Sequence, residues 1–102
     1  MLTSANDSSA KIFKIMHYTY ILQSKKDGQL YTGCTDNLQQ RFKLHNSGKI
    51  NATKNRQPLI LIHYEAFVDK QDAFTRERWL KTGWGRNQLK KILQNYFKNL
   101  GG

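Results

Sequence analysis

The period of the hydrophobic positions changes along the chain, and each change marks an element. Residues 1–14 have no period. Asn, Asp, Ser and Thr predominate there, so the stretch is expected to be a disordered N-terminal tail, followed by one domain over 15–100. His17 to Leu22 is dense in aromatic and β-branched side chains and predicts a strand. Lys25 to Gly28 contains Asp-Gly, a strong turn signal. Gln29 to Thr32 then predicts the returning strand of a hairpin, ended by Gly33.

From there the period is helical. Leu38, Phe42 and His45 recur at i, i+4 and i+7 and share one helix face. Asp36 is the expected cap, with Gln39 as its capping-box partner, and Gly48 is placed to end the helix in the left-handed conformation. Ser47 to Pro58 predicts a loop, and Leu59 to Tyr64, extending towards Phe67, a buried strand. Asp69 is placed to cap a second helix reaching about Lys81, with Ala73, Phe74 and Leu80 inward. Gly83 and Gly85 interrupt it. Leu89, Ile92, Leu93, Tyr96, Phe97 and Leu100 then form one long stripe, a third helix. The predicted order is ββ-α-β-α-α, an α+β fold.

Length and cysteine usage narrow the class. A chain of 102 residues fits one domain, and Cys34 is its only cysteine, so no intramolecular disulfide can form. CxxC and HExxH spacings are absent, against a structural or protease-type zinc site. The apolar run Leu59 to Ile62 is too short to cross a bilayer, and Met1 to Ala10 lacks the apolar core of a signal peptide, so the expected compartment is the cytoplasm. Charge changes the picture most. Seventeen Lys and Arg against seven Asp and Glu give a formal +10, an excess whose commonest partner is nucleic acid.

Several side chains then call for a chemical explanation. Strand alternation puts Tyr18 and Tyr20 on one face, and Tyr31 and Gly33 on one face of the next strand, so a hairpin can bring Tyr20 and Tyr31 to one surface. Tyrosine is a common strand residue. A phenol near a cation can also act as a general base. Arg41 lies on or beside the apolar face of its helix, where a guanidinium needs a partner, either a carboxylate or a phosphate. His45, one turn on, faces the same way as a packed or a working imidazole. Glu77 puts a carboxylate between Ala73 and Leu80 among Arg76, Arg78 and Lys81, either as an ion pair or as a ligand for a hard divalent cation. Asp69 and Asp72 read as capping residues. Between Asn37 and Tyr64 there is no acid, and Lys43, Lys49, Lys54 and Arg56 join Arg41 in a stretch suited to a phosphate backbone.

In order and spacing, Tyr18-Thr19-Tyr20, Tyr31-Thr32-Gly33, Arg41, His45 and Glu77 resemble the GIY-YIG endonuclease family, over about Met16 to Ile92. The likeness is to the small stand-alone bacterial proteins, which share the Leu-Tyr-Thr-Gly, Arg-Phe-x-x-His-Asn-Ser-Gly and Glu-x-x-Leu-Lys phrases. It implies a three-stranded antiparallel sheet flanked by helices and hydrolysis of a phosphodiester in DNA, branched or damaged, by an activated water. One Mg²⁺ or Mn²⁺ would be held by Glu77. Tyr20 or Tyr31 would activate the water, Arg41 would stabilise the transition-state phosphate and His45 would assist. Gly33 would let backbone approach the site closely. Thr19 and Thr32 stand where the family name has isoleucines, Tyr18 where it has glycine, and Cys34 where excision-repair relatives carry a lysine. Asn87 is a weak counterpart for a late asparagine of some relatives. No second DNA-binding domain is expected, so specificity would come from a protein partner or from DNA structure. The alternatives are a non-catalytic nucleic-acid-binding module of the same fold and an adaptor for an acidic protein.

Overall fold

The computed structural model describes residues 16–101. The expected tail, 1–14, lies outside them. Elements follow in the order β1 (His17–Ser24), β2 (Leu30–Thr35), α1 (Leu38–Asn46), β3 (Leu59–Phe67), α2 (Lys70–Leu80), α3 (Gly83–Ile92) and α4 (Gln94–Gly101). The sheet is antiparallel in the order β2-β1-β3.

The central position of β1 explains its run of apolar residues: Thr19, Tyr20, Ile21 and Leu22 are all buried because both sheet faces are covered. Tyr20 and Leu22 point to one face and pack with Leu59, Tyr31, Leu38 and Phe42, which seats α1. Ile21 points to the other and packs with Leu80 and Leu89, which seats α2 and α3. Each fully buried leucine or isoleucine contributes about 1.5–3 kcal/mol relative to exposure. Thr19 Oγ1 donates to the Ala73 carbonyl (2.7 Å), fixing the height of α2 over β1.

Several local expectations are corrected. β2 runs through Gly33 to Thr35, so the chain cannot coil at Asp36, and Asn37 is the cap, accepting from Gln40 N (3.2 Å). β3 is an edge strand with one open side, and beyond Leu59 its residues are half-buried or exposed. The β1–β3 register skips at Ile62, which turns that side chain onto the Ile21 cluster. Phe74 is 45% exposed. Gly83 starts α3 and Gly85 lies in its first turn, where a Cβ would strike the Trp79 carbonyl and Leu80 Cα, so α2 and α3 approach closely. The last apolar stripe is two helices, broken at Leu93 with neither proline nor glycine to mark it, and Tyr96 of α4 donates to Gln23 Oε1 of β1.

Other expectations stand. Asp27 and Gly28 form the hairpin turn, with Gly28 at φ +74° and Gly28 N donating to the Ser24 carbonyl (2.9 Å). Gly48 follows α1 at φ +76°, and Asp69 caps α2. The Asn46 side chain pairs with both backbone groups of Leu59, at 2.7 and 2.8 Å, and locks the end of α1 to the start of β3.

Candidate active site

Alternation along the hairpin places Tyr20 opposite Gly33 and Leu22 opposite Tyr31, so both phenols rise from one face. Their ring centroids are 6.3 Å apart, and α1 lays His45 against both, 5.7 Å from Tyr20 and 4.9 Å from Tyr31. His45 is fully buried. Nε2 lies 2.8 Å from the Tyr20 hydroxyl and Nδ1 2.7 Å from Thr53 Oγ1. Either neutral tautomer satisfies both bonds, because each hydroxyl can donate or accept.

These contacts set the proton affinities. Burial, aided by the charge of Arg41, pushes His45 down to about 4, so the imidazole is neutral at physiological pH. Burial pushes the Tyr20 phenol up to about 12. The Arg41 guanidinium at its hydroxyl opposes the rise, while Tyr31 and the charge of Glu77 add to it. Glu77 also raises the Cys34 thiol, again after burial. Tyr20 and Cys34 lie on opposite faces of the sheet, and the charge of Glu77 raises both.

The depressed His45 value makes stability pH-dependent. The unfolded imidazole takes a proton below about 6.5, whereas the folded one does so only near 4. The contribution is complete above 6.5 and is lost as pH falls towards 4, on the order of 2–3 kcal/mol. The His45 ring resonances should therefore stay fixed in an NMR titration from pH 7.5 to 5. A midpoint near 6.5 would refute the buried neutral assignment.

Gly33 has a role that its expected one did not include. A Cβ there would lie 2.5 Å from both Cζ and the hydroxyl oxygen of Tyr20, so the ring itself fills the space above the glycine. Gly33→Ala must displace a ring that is 1% exposed and break its bond to His45. The expected loss is about 1–3 kcal/mol, read by chemical denaturation. Wild-type stability in that variant would mean the ring does not lie there.

Arg41 is half-buried, and among the described residues its Nε is buried without a hydrogen-bond partner. The Glu77 side chain is 12% exposed, and its Oε2 meets the half-exposed Lys81 ammonium at 3.1 Å. The described residues contain no cluster of three or more His, Cys, Asp or Glu suited to a metal. One nearly buried carboxylate, bound only to an exposed lysine, still fits Mg²⁺ or Mn²⁺, which are commonly held by one or two carboxylates with waters and substrate phosphate. Lys43, Lys49 and Lys54 are exposed, but Arg56 meets Asp27 of the hairpin turn at 3.4 Å, an acid outside the acid-free stretch. Thr53 went unnoticed in the sequence because a loop without period gives no sign of a partner eight residues away.

The fold and these residues define a class: a small basic α+β domain in which two phenols and an imidazole pack together on one sheet face, with a half-buried guanidinium beside them and a carboxylate on α2. Over residues 16–91 the chain matches the family model of the GIY-YIG catalytic domain, and it belongs to that nuclease family. It is similar to a UPF0213 protein of Staphylococcus haemolyticus, 43% identical over 74% of this chain and 93% of the relative. A UPF0213 protein of Clostridium perfringens is 41% identical over 78% of this chain and 85% of the relative. The solution NMR structure of a UPF0213 protein from Bacillus halodurans is 38% identical, covers 76% of this chain and 84% of that one, and superposes with a TM-score of 0.49. No helix among the described residues is long and apolar enough to cross a membrane.

Proposed function

We propose that the chain is a divalent-cation-dependent endonuclease that hydrolyses a phosphodiester of DNA with an activated water. The carrying observation is Arg41. A guanidinium with a buried, unpartnered donor stands beside the Tyr20–His45 pair, as a site awaiting an oxyanion would require. Glu77 supports the same reading, since its carboxylate acts on that phenol from within a basic helix. Glu77 would hold a Mg²⁺ or Mn²⁺ ion, which would supply charge stabilisation for the departing oxygen of the phosphodiester.

The remaining roles follow from exposure. Tyr20 is buried and a phenol at neutral pH, so with His45 and Thr53 it forms a fixed chain that orients the pocket. Tyr31 is only half-buried and is the phenol that water can reach. Arg41 clamps the phosphate, and Lys43, Lys49 and Lys54 hold the flanking backbone without reading sequence.

A cleavage panel of single-stranded, duplex, flap and junction DNA tests this. Nicking with Mn²⁺, strongest on flap or junction, is expected, and EDTA should abolish it. Tight binding to every substrate with none cut, in either metal, would instead establish a non-catalytic binding module.

A further inference from the structure

The chain's two tryptophans, Trp79 and Trp84, flank the junction of α2 and α3. Trp84 is 80% exposed and Trp79 37%. With Asn87, Gln88, Lys90 and Lys91 they line a cleft of about 600 Å³. Nothing in the core requires an indole at Trp84, where any polar helix residue would be accommodated at lower hydration cost.

The platform is held in place from behind. Both carboxylate oxygens of Glu65 accept from Arg76, at 2.9 and 3.1 Å. The Arg76 guanidinium in turn lies over the Trp79 ring, 5.1 Å from its centroid. Arg76 also donates to Gln88 Oε1 (3.3 Å), tying the two helices of the cleft together. Ordering of this kind lowers the entropic cost of stacking a ligand.

The surroundings are cationic. From Arg78 to the C-terminus the sequence has Arg78, Lys81, Arg86, Lys90, Lys91 and Lys98 and no acid. Lys90 also lines an adjoining hollow of about 600 Å³ with Arg86, Phe97 and Lys98. There Arg86 Nη1 is buried without a partner among the described residues, and burial lowers its proton affinity.

We infer that this face is a second nucleic-acid site, in which Trp79 and Trp84 stack an unpaired base while Lys90, Lys91 and Arg86 hold the adjoining phosphates. Flat aromatic surface beside cations, with no base-reading carboxylate, is the chemistry of sequence-tolerant single-strand binding. An acidic polypeptide would match the charge but leave the indole surface of Trp79 and Trp84 unused. The inference deepens the nuclease reading and rests on it: it names a substrate that carries an unpaired segment.

Because both tryptophans lie in this cleft, indole emission reports on it directly. Titration with oligothymidylate of about a dozen nucleotides, without divalent metal, should quench emission to saturation. Oligouridylate run alongside distinguishes DNA from RNA as the source of the strand, the tighter ligand identifying it. By anisotropy of labelled strand, Trp84→Ala should bind about tenfold or more weakly and Trp84→Phe should recover most of that, with blunt-duplex binding unchanged in both. Trp84 is exposed enough that neither change endangers folding. Unaltered emission at saturation, equal quenching by polyglutamate, or parental affinity in Trp84→Ala overturns the inference. Quenching by a strand in a protein that cuts nothing would remove the nuclease reading and leave this site standing. Cleavage of flap and duplex at equal rates without quenching would do the reverse.

Discussion

Glu77→Gln is expected to lower Mn²⁺-dependent cleavage by on the order of a thousandfold or more while leaving DNA affinity within about twofold. The amide is nearly isosteric, and its oxygen can still accept from Lys81, so α2 has no reason to shift. The ion pair it removes has a half-exposed lysine as partner and is worth only tenths of a kcal/mol. Non-specific affinity should not fall, because the substitution makes a basic surface more so. A hard cation, by contrast, loses the carboxylate that would hold it. Electron paramagnetic resonance of free Mn²⁺ gives the independent readout: the parent should withdraw the ion from solution and the variant should not. If Glu77 served only to relieve repulsion among Arg76, Arg78 and Lys81, the variant would unfold more readily and still cut. Retention of even a tenth of the parental rate would remove the metal assignment.

What could be read from the sequence divides along physical lines. The hairpin was legible because Asp27-Gly28 is a local signal flanked by strand-forming residues. The shared face of Tyr20 and Tyr31 followed from alternation, which a regular ladder preserves. Leu38 and Phe42 carried the packed face of α1 into view with His45 on it. The details that escaped depend on partners distant in the chain. Gly33 was expected to let backbone approach the site closely, but that the group approaching it is the Tyr20 ring of the neighbouring strand could not be read from the sequence. Arg56 looked unopposed until folding brought Asp27 to it. β3 has the composition of a buried strand, and only the strand order makes it an edge. The cap moved from Asp36 to Asn37 because β2 continues past its glycine, a tertiary effect that overrides a good local capping pattern.

Arg41→Ala should cost on the order of a hundredfold or more in cleavage and nothing in folding stability, a combination that a structural arginine would not give. Arg76 has Glu65 and Arg56 has Asp27, so truncating either would strand a carboxylate. Arg41 has a buried Nε with no partner, and its charge bears on a buried imidazole. Removing it strands no charge and leaves the Tyr20 hydroxyl its bond to His45, so stability should change little. Its absence also has a sign that can be checked. The guanidinium lowers both Tyr20 and His45, so without it each should titrate higher, and the His45 midpoint should move up from about 4. Arg41→Lys keeps the charge and loses the planar fork, and should fall between parent and alanine in rate if two phosphate oxygens are gripped at once. Destabilisation without loss of rate would make Arg41 a packing residue, and the oxyanion site built around it would have no clamp.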